Sequence, residues 1–208
     1  MTQPCCRLVL ASASPQRRQI LARAGFTFEA LDPGEAEEAI AGAPTPDEVA
    51  AGKARAKAAR VAAALAPPYP AVVVASDTLV VLGGEIIGKP LDRAEAVAIL
   101  TRLSGTRHRV ISGLCLWPVT GARRAPAPRL GVATTWVQMR AMSPEQIREY
   151  VASGESDGKA GAYAIQEGGD RFVESLDGSF LNVVGFPLEL FEEWLPRALA
   201  EWGLGAPR

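Results

Sequence analysis

Leu8-Val9-Leu10-Ala11-Ser12-Ala13-Ser14-Pro15-Gln16-Arg17-Arg18-Gln19-Ile20-Leu21 decides how the chain is laid out. The apolar run Leu8 to Ala11 is too short for a helix and stops at serines and a proline. Helical spacing of apolar residues (Ile20, Leu21, Ala24) begins immediately afterwards. The pattern predicts strand, tight turn, helix. Ser14 before Pro15 suits an N-cap followed by Pro at the first helical position, where the missing N–H costs nothing. The helix then starts with free backbone N–H groups, a partial positive charge, the hydroxyls of Ser12 and Ser14, and the cations Arg17 and Arg18. Such an end attracts anions, phosphate above all. The plainer reading is that Ser14-Pro15 merely caps a helix and the arginines are solvated, so the rest of the chain has to decide.

Downstream, Gly25 and the alternation Phe26 to Leu31 suggest a second strand, closed by Asp32-Pro33-Gly34. An acidic cluster follows at Glu35, Glu37 and Glu38, and solvated carboxylates at a helix start would account for it. Pro46-Asp47-Glu48 opens an alanine-rich helix running from Val49 to about Leu65, with Lys53, Arg55, Lys57 and Arg60 along it. Most of these read as helix-surface cations. Ala71 to Val81 is β-branched almost throughout, as expected of a strand buried on both faces. Asp77 interrupts it. A carboxylate there costs several kcal/mol unless a partner or metal satisfies it, so a functional reading outweighs a structural one.

Gly83-Gly84 makes a hairpin turn into Glu85-Ile86-Ile87, which would carry Lys89 back along the strand that holds Asp77. Asp92 to Leu103 is an amphipathic helix, and Ser104 to Ser112 a polar turn entering a strand. His108, the single histidine, lacks a spaced metal partner and reads as a packing residue. Ala122 to Pro128 reads as a hairpin tip or loop, Gly131 to Met139 as a strand, and Ser143-Pro144-Glu145 repeats the Ser-Pro helix start. Gly158 to Gln166, Gly168-Gly169 and Asn182 to Pro187 are glycine-punctuated, a backbone suited to close approach by something flat. A strand is expected at Phe172-Val173 and a final structural helix at Leu188 to Trp202. Strands alternating with helices, together with hairpins, give an α/β class with a mixed sheet.

The 208 residues fit one large domain or two small lobes without a separable linker. Net charge is −1, so no overall bias toward nucleic acid or anionic membrane is expected. The apolar stretches are far too short to span a bilayer. Met1 to Cys6 has no basic region followed by an apolar one, so a cytoplasmic protein is expected. The cysteines Cys5, Cys6 and Cys115 have neither disulfide nor metal-ligand spacing and read as reduced thiols.

Ser12-Ala-Ser14-Pro15 with Arg17, Ala75-Ser-Asp77-Thr78, Gly88-Lys89-Pro90, Leu103-Ser-Gly105 with His108, Lys159-Ala-Gly-Ala-Tyr163-Ala-Ile-Gln166 and Asn182-Val-Val-Gly185-Phe-Pro187 together resemble the Maf family of nucleoside triphosphate pyrophosphatases. The motifs stand in the family's order and cover nearly the whole chain. The resemblance implies a mixed, strongly curved α/β sheet with flanking helices, in two lobes around a central cleft and forming one domain over 1–208. It further implies hydrolysis of unwanted nucleoside triphosphates to the monophosphate and pyrophosphate with a divalent metal, commonly by a homodimer.

By motif position, Ser12, Arg17, Glu38, Lys53, Asp77, Lys89 and Gln166 take the functional places. Thr78 resembles the branch acting on dTTP and UTP rather than the one acting on 7-methyl-GTP. Two positions depart from the family's pattern: Gln16 stands where an arginine is usual, with Arg18 one place later, and Glu167 stands where a glycine is usual. A nucleotide-binding regulator of septum formation without turnover is the reading from another class.

Cleavage between the α and β phosphates needs phosphate charge neutralised and a positioned water. Carboxylates suit Mg2+ or Mn2+, which prefer oxygen ligands. Asp77 and Glu38 are the expected metal ligands or water-orienting groups, with Asp77 the better general base. Arg17, Lys53 and Lys89 would clamp the phosphates, and Ser12, Ser14, Arg18 and the helix start would complete the cradle. Gln166 would meet either the base or the water.

Overall fold

The computed structural model describes residues 5–34, 43–65, 70–120 and 125–207. The opening stretch folds as its pattern predicts. Strand β1 is Arg7–Ala11 and helix α1 is Pro15–Arg23, with Ser14 as N-cap and Pro15 at the first helical position. Strand β2 is Glu29–Leu31, shorter than the alternation from Phe26 suggests. Phe26 is diverted because its N–H closes on the Leu21 carbonyl and its ring meets Phe191 edge-on, centroids 5.0 Å apart.

The remaining elements are α2 (Pro46–Ala64), β3 (Ala71–Leu82), β4 (Glu85–Ile87), α3 (Arg93–Leu103), β5 (Arg107–Val119), β6 (Arg129–Met139), α4 (Pro144–Ser153), β7 (Val173–Asp177), α5 (Phe180–Val184) and α6 (Leu188–Trp202). The strand order is β2-β1-β3-β5-β6-β7, with β4 paired to β3. Strand β1 runs parallel to β2 and to β3, while β3–β4 and β6–β7 are antiparallel, so the sheet is mixed. The expected hairpin at Gly83-Gly84 pairs Val80 with Ile87 and Leu82 with Glu85. The last β-segment differs from expectation. Phe172 ends a 3-10 turn, Gly168–Phe172, and the strand begins at Val173.

Two compact units share the chain. The first holds Met1–Asp77, Ser112–Ala133 and Gly185–Arg208; the second holds Thr78–Ile111 and Thr134–Val184. The chain passes from one to the other within β3, β5 and β6 and again between Val184 and Gly185.

In the first unit, α2 lays Ala54, Ala58 and Val61 on Val9, Ala11, Val73, Ala75 and Cys115, with Ala50 buried one turn earlier. Alanines four residues apart form one helical stripe, and their small side chains let the helix axis come close to the strands. At Gly113 the approach is closest, since a Cβ there would lie 2.1 Å from the Ala50 carbonyl oxygen. The second unit has its own core, built from Leu100, Leu103, Val110, Val137, Met139, Tyr150, Phe172 and their neighbours.

Candidate active site

The turn between β1 and α1 is built from its own hydroxyls. Ser12 is 3% exposed, and its Oγ accepts the Ser14 N–H at 3.1 Å and the Arg17 Nη1 at 3.4 Å. The Ser14 Oγ accepts the Arg17 N–H at 3.4 Å, satisfying one of the orphan donors of the first turn. No acidic residue lies in that turn, so the positive end of the helix keeps its charge.

Arg17 is fixed at both ends of its guanidinium, because Nε also donates to the Gly185 carbonyl at 2.9 Å. That contact gives the Asn182 to Pro187 motif a concrete role in the first unit: its glycine carbonyl orients Arg17. Burial lowers the Arg17 pKa from its ordinary value, and Asp77 acts in the opposite direction. Gln16, the residue that departs from the family's arginine, takes the Ser14 hydroxyl on its Oε1 at 3.1 Å. Arg18 is exposed and folds back, Nη2 donating to the Ser12 carbonyl at 3.4 Å.

Asp77 lies in β3, directly after the fully buried Ala71–Ser76 stretch. Its Oδ1 accepts a charge-assisted hydrogen bond from Nζ of Lys57 on α2, at 2.5 Å. The side chains are 15% and 21% exposed, so the pair is partly screened by water. Burial lowers the Lys57 pKa most; Asp77 raises it, while Arg17 and Lys53 lower it further. Asp77 therefore stands in the field of Arg17 from α1 and Lys57 from α2, and Lys53 acts on Lys57 from the same helix. In the sequence Lys57 reads as one of the helix-surface cations of α2. The available signal was its spacing of four from Lys53, which puts both on one face of α2.

Thr78, Lys89 and Gln166 belong to the second unit. Thr78 follows Asp77 in β3 and is half-buried. Lys89 is exposed in the turn after β4, where the Gly88 carbonyl accepts the Gly161 N–H at 3.1 Å. That bond joins the Lys89 turn to the segment ending at the exposed Gln166. Within the segment, Gly161 (φ +73°) and Ala162 (φ +58°) both occupy the left-handed region. An alanine pays about 1 kcal/mol or more for that conformation, so the surrounding contacts must enforce it. They include the Ala164 N–H donated to the Tyr150 hydroxyl at 3.0 Å. His108 is a packing residue, as expected: 1% exposed, with Nε2 2.9 Å from the Tyr163 hydroxyl. Glu38 lies outside the described residues.

Parallel strands feeding a serine-capped helix start, with a strand carboxylate bonded to a lysine and in the field of an arginine, define an α/β protein equipped to handle polyanions. The chain belongs to the Maf-like protein family, whose model matches residues 7–198. It is 40% identical over 190 residues to the dTTP/UTP pyrophosphatase of Pelotomaculum thermopropionicum, covering 91% of this chain and 95% of that one. It is 43% identical over 182 residues to the dTTP/UTP pyrophosphatase of Geobacter sulfurreducens, covering 88% and 91%. The crystal structure of a dITP/XTP pyrophosphatase from Mycobacterium abscessus matches at 16% identity and a TM-score of 0.39 over 94% of this chain and 96% of that one, a likeness too distant to carry weight. No helix among the described residues is long and apolar enough to cross a membrane.

Proposed function

We propose that this chain hydrolyses dTTP and UTP between the α and β phosphates, giving the monophosphate and pyrophosphate. The observation that carries the reading is Asp77 hydrogen-bonded to Lys57 and in the field of Arg17, with Lys53 acting on Lys57 beside it. A single carboxylate leaves that cluster net positive, which suits a triphosphate, and it supplies a base beside the bound charge. Thr78 and the names of the relatives favour a pyrimidine nucleotide.

A divalent ion fits the donor chemistry. Among the described residues there is no group of three or more His, Cys, Asp or Glu that could hold a metal by itself. Mg2+ at nucleotide sites is commonly held by one or two carboxylates together with the substrate's own phosphates, so Asp77 suits an ion that arrives on the nucleotide. Asp77 and, by motif position, Glu38 would hold Mg2+ or Mn2+, which when bound neutralises phosphate charge and makes water a better nucleophile.

The chain's own groups then divide the work. Arg17 and Lys53 hold phosphate oxygens at the start of α1, with Ser12, Ser14 and Arg18 shaping that end. Asp77 takes the proton of the water that attacks the α phosphorus, and pyrophosphate departs. Lys89 contributes a further phosphate contact, and Gln166 meets the base or the water, both on the family resemblance. The proposal includes a cytoplasmic location and a homodimer on the same resemblance.

Pyrophosphate release from dTTP, UTP, CTP and 7-methyl-GTP, each with Mg2+ and Mn2+, tests the reading. The first two are turned over fastest, and Asp77→Asn loses most of that turnover while the protein keeps its melting temperature. A preference for 7-methyl-GTP would move the chain to the other branch. Tight binding without turnover would make it a binding protein, and full activity of Asp77→Asn would remove Asp77 from the chemistry.

A further inference from the structure

We infer that Lys57 is a positioning residue for Asp77, holding Oδ1 so that Oδ2 is the oxygen that works on the substrate's water. The inference rests on the hydrolytic reading above.

An aspartate side chain has a broad, two-fold final torsion, so an unrestrained carboxylate presents either oxygen. The hydrogen bond from Lys57 Nζ to Oδ1 removes that equivalence. Lys57 is itself anchored. Its helix is pressed onto the strands by Ala54 and Ala58, both 0% exposed and flanking Lys57 in sequence, and by the backbone contact at Gly113. Neutralisation alone does not account for the pair, because Arg17 already acts on Asp77. Arg17 is turned toward the Gly185 carbonyl and the Ser12 hydroxyl, and the direct hydrogen bond on Asp77 comes from Lys57. The side chains are only 15% and 21% exposed, so Lys57 also satisfies a mostly buried carboxylate, and a split between kcat and KM is what separates positioning from that stabilising role.

A residue acting through Asp77 has a distinct kinetic signature. Lys57→Met is expected to lower kcat for dTTP about 10- to 100-fold, the scale of loss when a catalytic group is displaced by about 1 Å. KM and the affinity for an α,β-imido dTTP analogue should stay within about threefold of wild type, since the interaction removed acts in the transition state. In the Asp77→Asn background, Lys57→Met should have no further effect on kcat, the coupling expected of contacting residues. Lys57→Arg keeps the charge but moves the donor nitrogen, so its kcat should fall between wild type and Lys57→Met at unchanged KM. If Lys57→Met does not fold, Lys57→Arg decides: a reduced kcat at constant KM supports the inference and a wild-type kcat overturns it.

Wild-type kcat in Lys57→Met, or losses that multiply in the double variant, overturns the inference while leaving the proposed function standing. A wild-type chain that releases pyrophosphate from no nucleoside triphosphate overturns both.

Discussion

A Cβ built on Gly113 would stand 2.1 Å from the carbonyl oxygen of Ala50, so β5 and α2 meet backbone to backbone at that point. Lys57 follows Ala50 on the same helix, and its reach to Asp77 depends on that distance. Gly113→Ala forces the helix outward. Overpacking of this kind costs typically about 1–3 kcal/mol and sometimes more. Urea unfolding should show that loss, and kcat for dTTP should fall further than KM rises, because Lys57 is carried away from Asp77. An unchanged midpoint and kcat would show that the contact yields without consequence.

How much of this arrangement was legible in the sequence varied with the kind of information needed. The strand, turn and helix at Leu8 to Leu21 were readable because each is fixed by local chemistry: a short apolar run, a Ser-Pro cap, then helical spacing. Asp77 stood out because a carboxylate in a β-branched run needs a partner. Which partner it takes is a tertiary fact. Lys57 looks like any other cation on an alanine-rich helix until the register of α2 against the strands is known, and that register is set by Gly113, more than fifty residues away. A glycine inside an apolar strand is itself a mark of close backbone approach, and Gly113 is such a glycine. Gly185 was noticed, but its carbonyl's role in holding Arg17 depends on α1 and the end of the chain meeting in space.

Ser12 is the hinge of the turn between β1 and α1, since its hydroxyl accepts from both the Ser14 N–H and the Arg17 guanidinium. Ser12→Ala leaves those donors without their acceptor in a residue that is 3% exposed. A loss of about 1–3 kcal/mol in stability is expected. KM for dTTP should rise with it, because Arg17 is then held by the Gly185 carbonyl alone among these contacts. Thermal unfolding and steady-state kinetics read the two effects separately. A variant with a lowered midpoint but wild-type KM would mean that the hydroxyl is structural only.

Gly161 has φ +73°, and a Cβ there would come 3.0 Å from Cγ2 of Val80. Gly161→Ala therefore combines a left-handed alanine with crowding against a buried valine. A cost of about 1–3 kcal/mol is expected. The substitution also disturbs the bond from the Gly161 N–H to the Gly88 carbonyl, beside Lys89. On the proposed function, KM for dTTP rises more than in a control variant of equal stability loss elsewhere in the second unit. An equal KM in the two would separate this segment from substrate binding.

His108 gives the fold an acid limit. Burial pushes its pKa down from 6.5 to about 4, and Nδ1 is buried with no hydrogen-bond partner among the described residues. The unfolded chain therefore binds the proton more readily than the folded one. The stability contribution is present in full above the ordinary histidine pKa and is lost as pH falls from about 6.5 toward about 4. The difference corresponds to about 3 kcal/mol over that window. His108→Gln has no proton to take up there, so its stability should fall less steeply on acidification. Urea unfolding of both proteins at steps between pH 7 and pH 4 measures the gap directly. Curves that stay parallel across the window would mean that the imidazole takes up its proton inside the folded protein as easily as outside it.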